Sequence, residues 1–172
     1  SEMRLTIQLI IGLCLILTSS CGVKPSLVDV PDVSVYNQTI PKREKISDTS
    51  FTTNNGYLTK NDFGQWEMYV SGDPYQIGLN TGILTQELFE KQEHAFLGKV
   101  NELVPSETKQ KILRKLLAWY NRKMYLHIPE EYKSEILGVS KYAGDDYDYV
   151  ADDYLRSLYF HSAHDIGHAL QD

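Results

Sequence analysis

The densest group of side chains that could do chemistry lies near the end of the chain. His161, His164, Asp165 and His168 form this group, which we call the histidine cluster. At about 100° per residue, a helix would place all four within an arc of about 100°. Three imidazoles and a carboxylate on one face can transfer protons or ligate a metal ion.

Three interpretations of the histidine cluster are open. Its spacing offers nitrogen and oxygen donors to zinc, with His94 and His127 as further donors elsewhere in the chain. Alternatively, the cluster lines or supports a substrate pocket, with Asp165 fixing the tautomer of a histidine. The interpretation we favour is a set of buried polar groups that satisfy one another and tie their helix to its neighbour. We therefore predict neither a metal nor a cofactor.

The elements that must position the cluster are mostly helices. Alternating apolar and polar residues predict a hairpin with strands at 57–60 and 65–71. Gly144 is expected at the C-terminal cap of the third helix. Four helices are predicted after the hairpin, over residues 74–97, 106–126, 129–144 and 148–170.

The first predicted helix has a well-defined start and an unusual face. Asp73 is placed to cap it, and Pro74 follows at the first helical position. Gly78 and Gly82 lie four residues apart and therefore share a face. Because each glycine inside a helix costs about 1 kcal/mol relative to alanine, the pair indicates close approach by another backbone.

The N-terminal residues are typical of a targeting signal. The apolar run Leu5–Leu17 is shorter than the roughly 20 residues that span a bilayer. Thr18-Ser19-Ser20-Cys21-Gly22 follows it and resembles a bacterial lipoprotein cleavage box, which predicts lipidation of Cys21. An ordinary secretory signal cut nearby is the alternative. The expected location is the bacterial cell envelope, either lipid-anchored or periplasmic.

Composition limits the remaining possibilities. The net charge of −6 argues against a nucleic-acid-binding surface, and we predict no nucleic-acid partner. Cys14 and Cys21 are the cysteines of the chain, and both belong to the predicted signal and anchor. The domain prediction is a lipoprotein-type signal peptide at 1–20, a tether at 21–53 and a helical domain with an N-terminal hairpin at 54–172.

Several of these elements together resemble a known family. A strand, the turn Gly72-Asp73-Pro74-Tyr75, the two glycines and a long helix resemble the start of the acyl-coenzyme A:6-aminopenicillanic acid acyltransferase-like family. This family, of the peptidase C45 type, is related to choloylglycine hydrolases and acid-ceramidase-like amidases. The resemblance covers roughly residues 64–168, with Leu137-Gly138-Val139-Ser140 standing where the family commonly shows a Gly-Ile-Ala-like sequence.

The resemblance implies a self-processing N-terminal-nucleophile hydrolase. In that family a zymogen cuts its own chain before a cysteine, which becomes the first residue of the β chain and its nucleophile. The α-amino group of that cysteine serves as the base, since its pKa of about 7.7 suits proton transfer at neutral pH. This chain would be the α chain, without the nucleophile, of a heterodimer with a four-layer αββα fold. In overall class it is α+β and mainly helical.

The implied activity is cleavage of linear amide C–N bonds in small N-acyl substrates, or acyl transfer. The implied partners are the β chain from the same precursor and a membrane reached through the lipid anchor. Gln171-Asp172 is not the small or apolar residue expected before a single cut, so a second cut or a different nucleophile context would be needed. The alternative hypothesis is a non-enzymatic helical surface lipoprotein that binds a partner or a metal.

Overall fold

A computed structural model describes residues 30–147 and 151–160 of the chain. It contains a small antiparallel sheet followed by helices. The strands are β1 (Glu44–Ser47), β2 (Ser50–Thr53), β3 (Gly56–Lys60) and β4 (Trp66–Val70). The α-helices are α1 (Pro74–Leu103), α2 (Glu107–Tyr120), α3 (Glu130–Ser140) and α4 (residues 153–160), with 3-10 helices at Asn121–His127 and Asp145–Tyr147.

The sheet has the strand order β1-β2-β3-β4, and every neighbouring pair is antiparallel. The predicted hairpin is confirmed as β3 and β4. Its turn is closed by the Asn61 side chain, whose Oδ1 accepts from the backbone N–H groups of Phe63 and Gln65 at 3.0 Å. Gly64 has a φ of 79°, which a residue without Cβ adopts at little cost.

The predicted tether of residues 21–53 needs correction, because its C-terminal part belongs to the sheet. β1 and β2 both lie before residue 54. The segment before β1 is also attached to α1: the buried Gln76 donates through Nε2 to the carbonyl groups of Asn37 and Thr39, both at 2.8 Å. Short polar strands carry a weak periodic signal. These residues are strands because β2 pairs with β3 and β1 pairs with β2.

Helix α1 begins as predicted and extends further. The Asp73 side chain accepts from the backbone N–H of Gln76 at 2.9 Å, which confirms the cap, and its other oxygen accepts from the N–H of Asn37. The helix continues beyond residue 97 to Leu103. Thus Asp73 satisfies one orphan amide of the helix and also attaches the preceding segment.

Two other helix boundaries differ from the predictions. The segment predicted as one helix over 106–126 is α2 followed by the 3-10 helix Asn121–His127. Helix α3 ends at Ser140 with Lys141 as its cap, so Gly144 does not cap it. The Ser140 hydroxyl donates to the carbonyl of Leu137, a local bond that competes with continuation of the helix.

Helices α1 and α3 are in close backbone contact through glycines. A Cβ on Gly78 would overlap the carbonyl oxygen of Glu135, and one on Gly82 would lie 3.1 Å from the Cα of Val139. From the other side, a Cβ on Gly138 would lie 2.7 Å from the carbonyl oxygen of Tyr75. The close approach predicted from Gly78 and Gly82 is therefore confirmed. The neighbour is α3 of the same chain.

The hydrophobic core lies where α1, α3 and α4 meet. The Phe160 ring of α4 makes edge contacts with Phe89 and Phe96 of α1, with centroids 6.1 and 5.3 Å apart. The sheet is joined to α1 by a buried hydrogen bond of 2.6 Å from the Thr53 hydroxyl to Asn80 Oδ1. The buried cluster at the centre consists of Tyr75, Leu79, Ile136, Leu137, Tyr154, Leu155 and Leu158.

Candidate functional site

A cleft of about 610 Å³ opens between α1, the 3-10 helix Asn121–His127 and α3. Its volume falls in the range of about 300–1,000 Å³ that is typical of small-molecule sites. Most of its surface is apolar. The residues that line it are Gly78, Thr81, Met124, His127, Ile128, Pro129, Tyr132, Glu135, Ile136, Val139 and Leu158.

One wall of the cleft is a single face of α3. Tyr132, Glu135, Ile136 and Val139 follow the i, i+3, i+4, i+7 spacing that brings side chains to the same side of a helix. Pro129 stands immediately before the helix and fixes where it starts. The face is amphipathic, because a carboxyl and a phenol stand among aliphatic groups.

The other lining residues come from other elements. Gly78 and Thr81 belong to α1, and the missing side chain of Gly78 permits α1 and α3 to touch. Met124 and His127 come from the 3-10 helix, and Leu158 from α4. Three parts of the sequence therefore build the cleft: α1, residues 124–139 and α4.

Glu135 is a polar residue of the cleft whose surroundings shift its pKa. Its side chain is half-buried, and this burial raises the pKa of its carboxyl, with a further upward contribution from the charge of Glu131. A carboxyl with a raised pKa is a better proton donor near neutral pH than an exposed one. Glu135 and the hydroxyls of Thr81 and Tyr132 can orient the polar head of a ligand, while the apolar walls of the cleft hold its hydrocarbon chain.

The residues predicted to carry chemistry are not among those described. Cys21 and the whole histidine cluster, His161, His164, Asp165 and His168, lie outside residues 30–147 and 151–160. Their proposed roles therefore stay predictions. The cluster would begin one residue after Phe160, the last described residue of α4.

His94 and His127 belong to different surroundings. His94 on α1 faces the carboxylate of Asp146 at 3.7 Å, and both side chains are more than half exposed. His127 lines the cleft. Within the described ranges, no group of three or more His, Cys, Asp or Glu side chains is placed to hold a metal ion. Among the same residues, no helix has the length and apolar character needed to cross a membrane.

The sequence interpretation overlooked Glu135 and Arg156. Glu135 shares the spacing of Tyr132, Ile136 and Val139, so an acidic residue within an apolar stripe was the available signal. Arg156 interrupts the apolar stripe of α4 in the same way, and it is buried against Glu93 of α1. In both cases the available sequence signal was a charged residue within an otherwise apolar stretch of a helix.

Comparison of the chain with protein-family models, with curated proteins and with solved structures gives no match.

Proposed function

We propose that this chain is the acyl-binding α chain of a cysteine N-terminal-nucleophile amidase or acyltransferase. The observation that carries the proposal is the apolar cleft of about 610 Å³ with a few polar groups among its lining residues. Such a cleft suits a small N-acyl amide, whose hydrocarbon part would lie along Met124, Ile136 and Val139. The proposal also rests on the family resemblance of residues 64–168.

The chemistry in this proposal comes from a second chain. The lining residues include hydroxyls, an imidazole and a carboxyl but no thiol. The nucleophile would be the N-terminal cysteine of a β chain, released from the same precursor by autoproteolysis. Its thiol would attack the amide carbonyl and its own α-amine would accept the proton. In this arrangement the cleft fixes the acyl group beside the thiol, which lowers the entropic part of the barrier.

Location in the cell envelope is part of the same proposal. Lipidation of Cys21 would hold the described domain at a membrane surface, where N-acyl amides partition. Metabolic labelling with a radioactive fatty acid tests this: label incorporated by the natural precursor and lost in Cys21→Ser supports anchoring. Equal labelling of both proteins would contradict it.

The direct test of the cleft uses the complete natural precursor and a series of N-acyl p-nitroanilides of increasing chain length. Val139→Phe adds volume to the cleft wall, so we expect a higher KM for long acyl groups and a shift in preference toward short ones. Val35→Phe is the matched control, because Val35 is 80% exposed and does not line the cleft. Equal acyl-length profiles for the two variants would contradict the assignment of the cleft.

A non-enzymatic lipoprotein that binds a small apolar ligand in the same cleft is the second candidate. Binding without turnover distinguishes the two. If the precursor is never processed, hydrolyses none of the amides and still binds a fluorescent fatty acid with an affinity reduced by Val139→Phe, the chain is a binding protein. Turnover that appears only after processing supports the amidase.

A further inference from the structure

The two edges of the sheet differ in how well they are protected against pairing with a further strand. β1 carries charged residues, Glu44 and Lys45, and its register shifts between Lys45 and Ser47. Charges and bulges of this kind prevent another strand from pairing with an edge. The β1 edge is therefore poorly suited to association.

The β4 edge has no register shift, and Glu67 is the one charged residue of the strand. Its pairing with β3 is regular from Trp66 to Val70, and no strand in residues 30–147 or 151–160 pairs with its outer side. Trp66, Met68 and Tyr69 are 40, 45 and 55% exposed. A regular, exposed, largely apolar edge is a template for a further strand.

The hydrogen-bonding pattern shows which groups of β4 point outward. At its two ends, Asn61 N–H donates to the Gln65 carbonyl at 2.8 Å and Ser71 N–H donates to the Asn55 carbonyl at 2.9 Å. Hydrogen-bonded and non-hydrogen-bonded pairs alternate in an antiparallel ladder, so Glu67 and Tyr69 bond to β3. The N–H and C=O groups of Trp66, Met68 and Val70 therefore face away from β3.

We propose that the β4 edge pairs with β4 of a second copy of this chain, antiparallel and centred on Met68. In this register Met68 faces Met68 of the second copy, and Trp66 faces Val70. All of these are residues whose backbone groups point outward, so each facing pair exchanges two hydrogen bonds. The result is a two-fold symmetric dimer with one continuous sheet running through both copies.

Side-chain charge and the length of β4 select this register over its two neighbours. Pairing centred on Met68 sets Glu67 opposite Tyr69 of the second copy. A shift by two residues in one direction would set Glu67 opposite Glu67, and like charges directly opposite are destabilising. A shift in the other direction would set Trp66 opposite Gly72, beyond the end of β4. The Met68 register also places Trp66, Met68 and Val70 of both copies on one face, where they form a continuous apolar stripe.

Sedimentation velocity of the full chain, over a range of concentrations in mild detergent, tests the proposal. We expect a reversible dimer. Met68→Pro removes an outward N–H from each copy and leaves the bonds from Glu67 and Tyr69 to β3, so the variant should keep its circular dichroism spectrum. Loss of two hydrogen bonds should weaken dimerisation by about 30-fold. Met68→Leu is the matched control and should dimerise like the parent.

Hydrogen exchange of single amides gives an independent measurement. In the dimer, the amides of Trp66, Met68 and Val70 should become protected as concentration rises, whereas those of Glu67 and Tyr69 are protected at every concentration. A chain that stays monomeric, or a dimer that Met68→Pro leaves intact, would overturn the proposal. So would a complex with a different polypeptide that Met68→Pro abolishes, because it would assign the edge to that partner.

Discussion

The guanidinium of Arg156 and the carboxylate of Glu93 form a buried ion pair between α4 and α1. Arg156 Nε lies 2.5 Å from Glu93 Oε1, and each side chain is 2% exposed. Arg156 also donates to the carbonyl oxygens of Gly144 at 2.6 Å and Ala151 at 3.1 Å. Burial raises the pKa of Glu93, while the charge of Arg156 opposes this rise. The pair thus fixes the helix that leads directly into the histidine cluster.

We predict that Arg156→Met destabilises the protein by about 3–5 kcal/mol, because it leaves the Glu93 carboxylate buried without its counter-charge. The double variant with Glu93→Gln should recover part of this loss, since the uncompensated charge is then absent. Urea denaturation of the two single variants and the double variant measures the coupling.

The control for the ion pair is Lys99→Met, which breaks a pair with Glu102 that is 2.9 Å long and mostly exposed. Lys99→Met should lower the free energy of unfolding by less than about 1 kcal/mol, as is usual for surface ion pairs. Similar losses in Arg156→Met and Lys99→Met would show that burial does not decide the energy of the first pair.

Gly78→Ala should be destabilising, by about 1–3 kcal/mol, because the added methyl group would collide with the backbone of Glu135 in α3. Gly98→Ala is the matched control on the same helix. A Cβ at Gly98 meets no described atom within 4 Å. The free energy of unfolding of this variant should therefore rise by about 0.5–1 kcal/mol, because alanine has the higher helix propensity. Thermal unfolding followed by circular dichroism compares the two, and an equal effect would contradict the close contact between α1 and α3.

Glu135→Gln should stabilise the protein at pH 7. Burial raises the pKa of the Glu135 carboxyl above its ordinary value of 4.5, so the folded state holds this proton more tightly than the unfolded state. The unfavourable contribution of the carboxylate is absent below pH 4.5, develops as pH rises through the folded pKa, and is complete above it.

Denaturation midpoints of the parent and Glu135→Gln at pH 4 and pH 7 measure this dependence. The two proteins should be alike at pH 4 and diverge at pH 7, with the variant more stable. Glu44→Gln, an exposed change on β1, should alter neither midpoint appreciably. A variant that is less stable than the parent at pH 7 would show that the carboxylate is favourably held in the cleft.

The sequence by itself determined the local features of this protein. Asp73 and Pro74 start α1, and Asn61 with Gly64 closes the hairpin, because each depends on a few neighbouring residues. Gly78 and Gly82 could be recognised as contact positions from their spacing alone. The partner of these glycines could not, since it lies far along the chain in α3.

Only the tertiary structure decided which distant residues meet. Glu93 and Arg156 are each unfavourable in a core, and the sequence carries no local sign that one neutralises the other. The cleft has the same origin, because helices α1, α3 and α4 and a 3-10 helix contribute separate walls. β1 and β2 became strands through pairing across the sheet. Such long-range contacts depend on packing and desolvation of whole elements, which no short window of sequence contains.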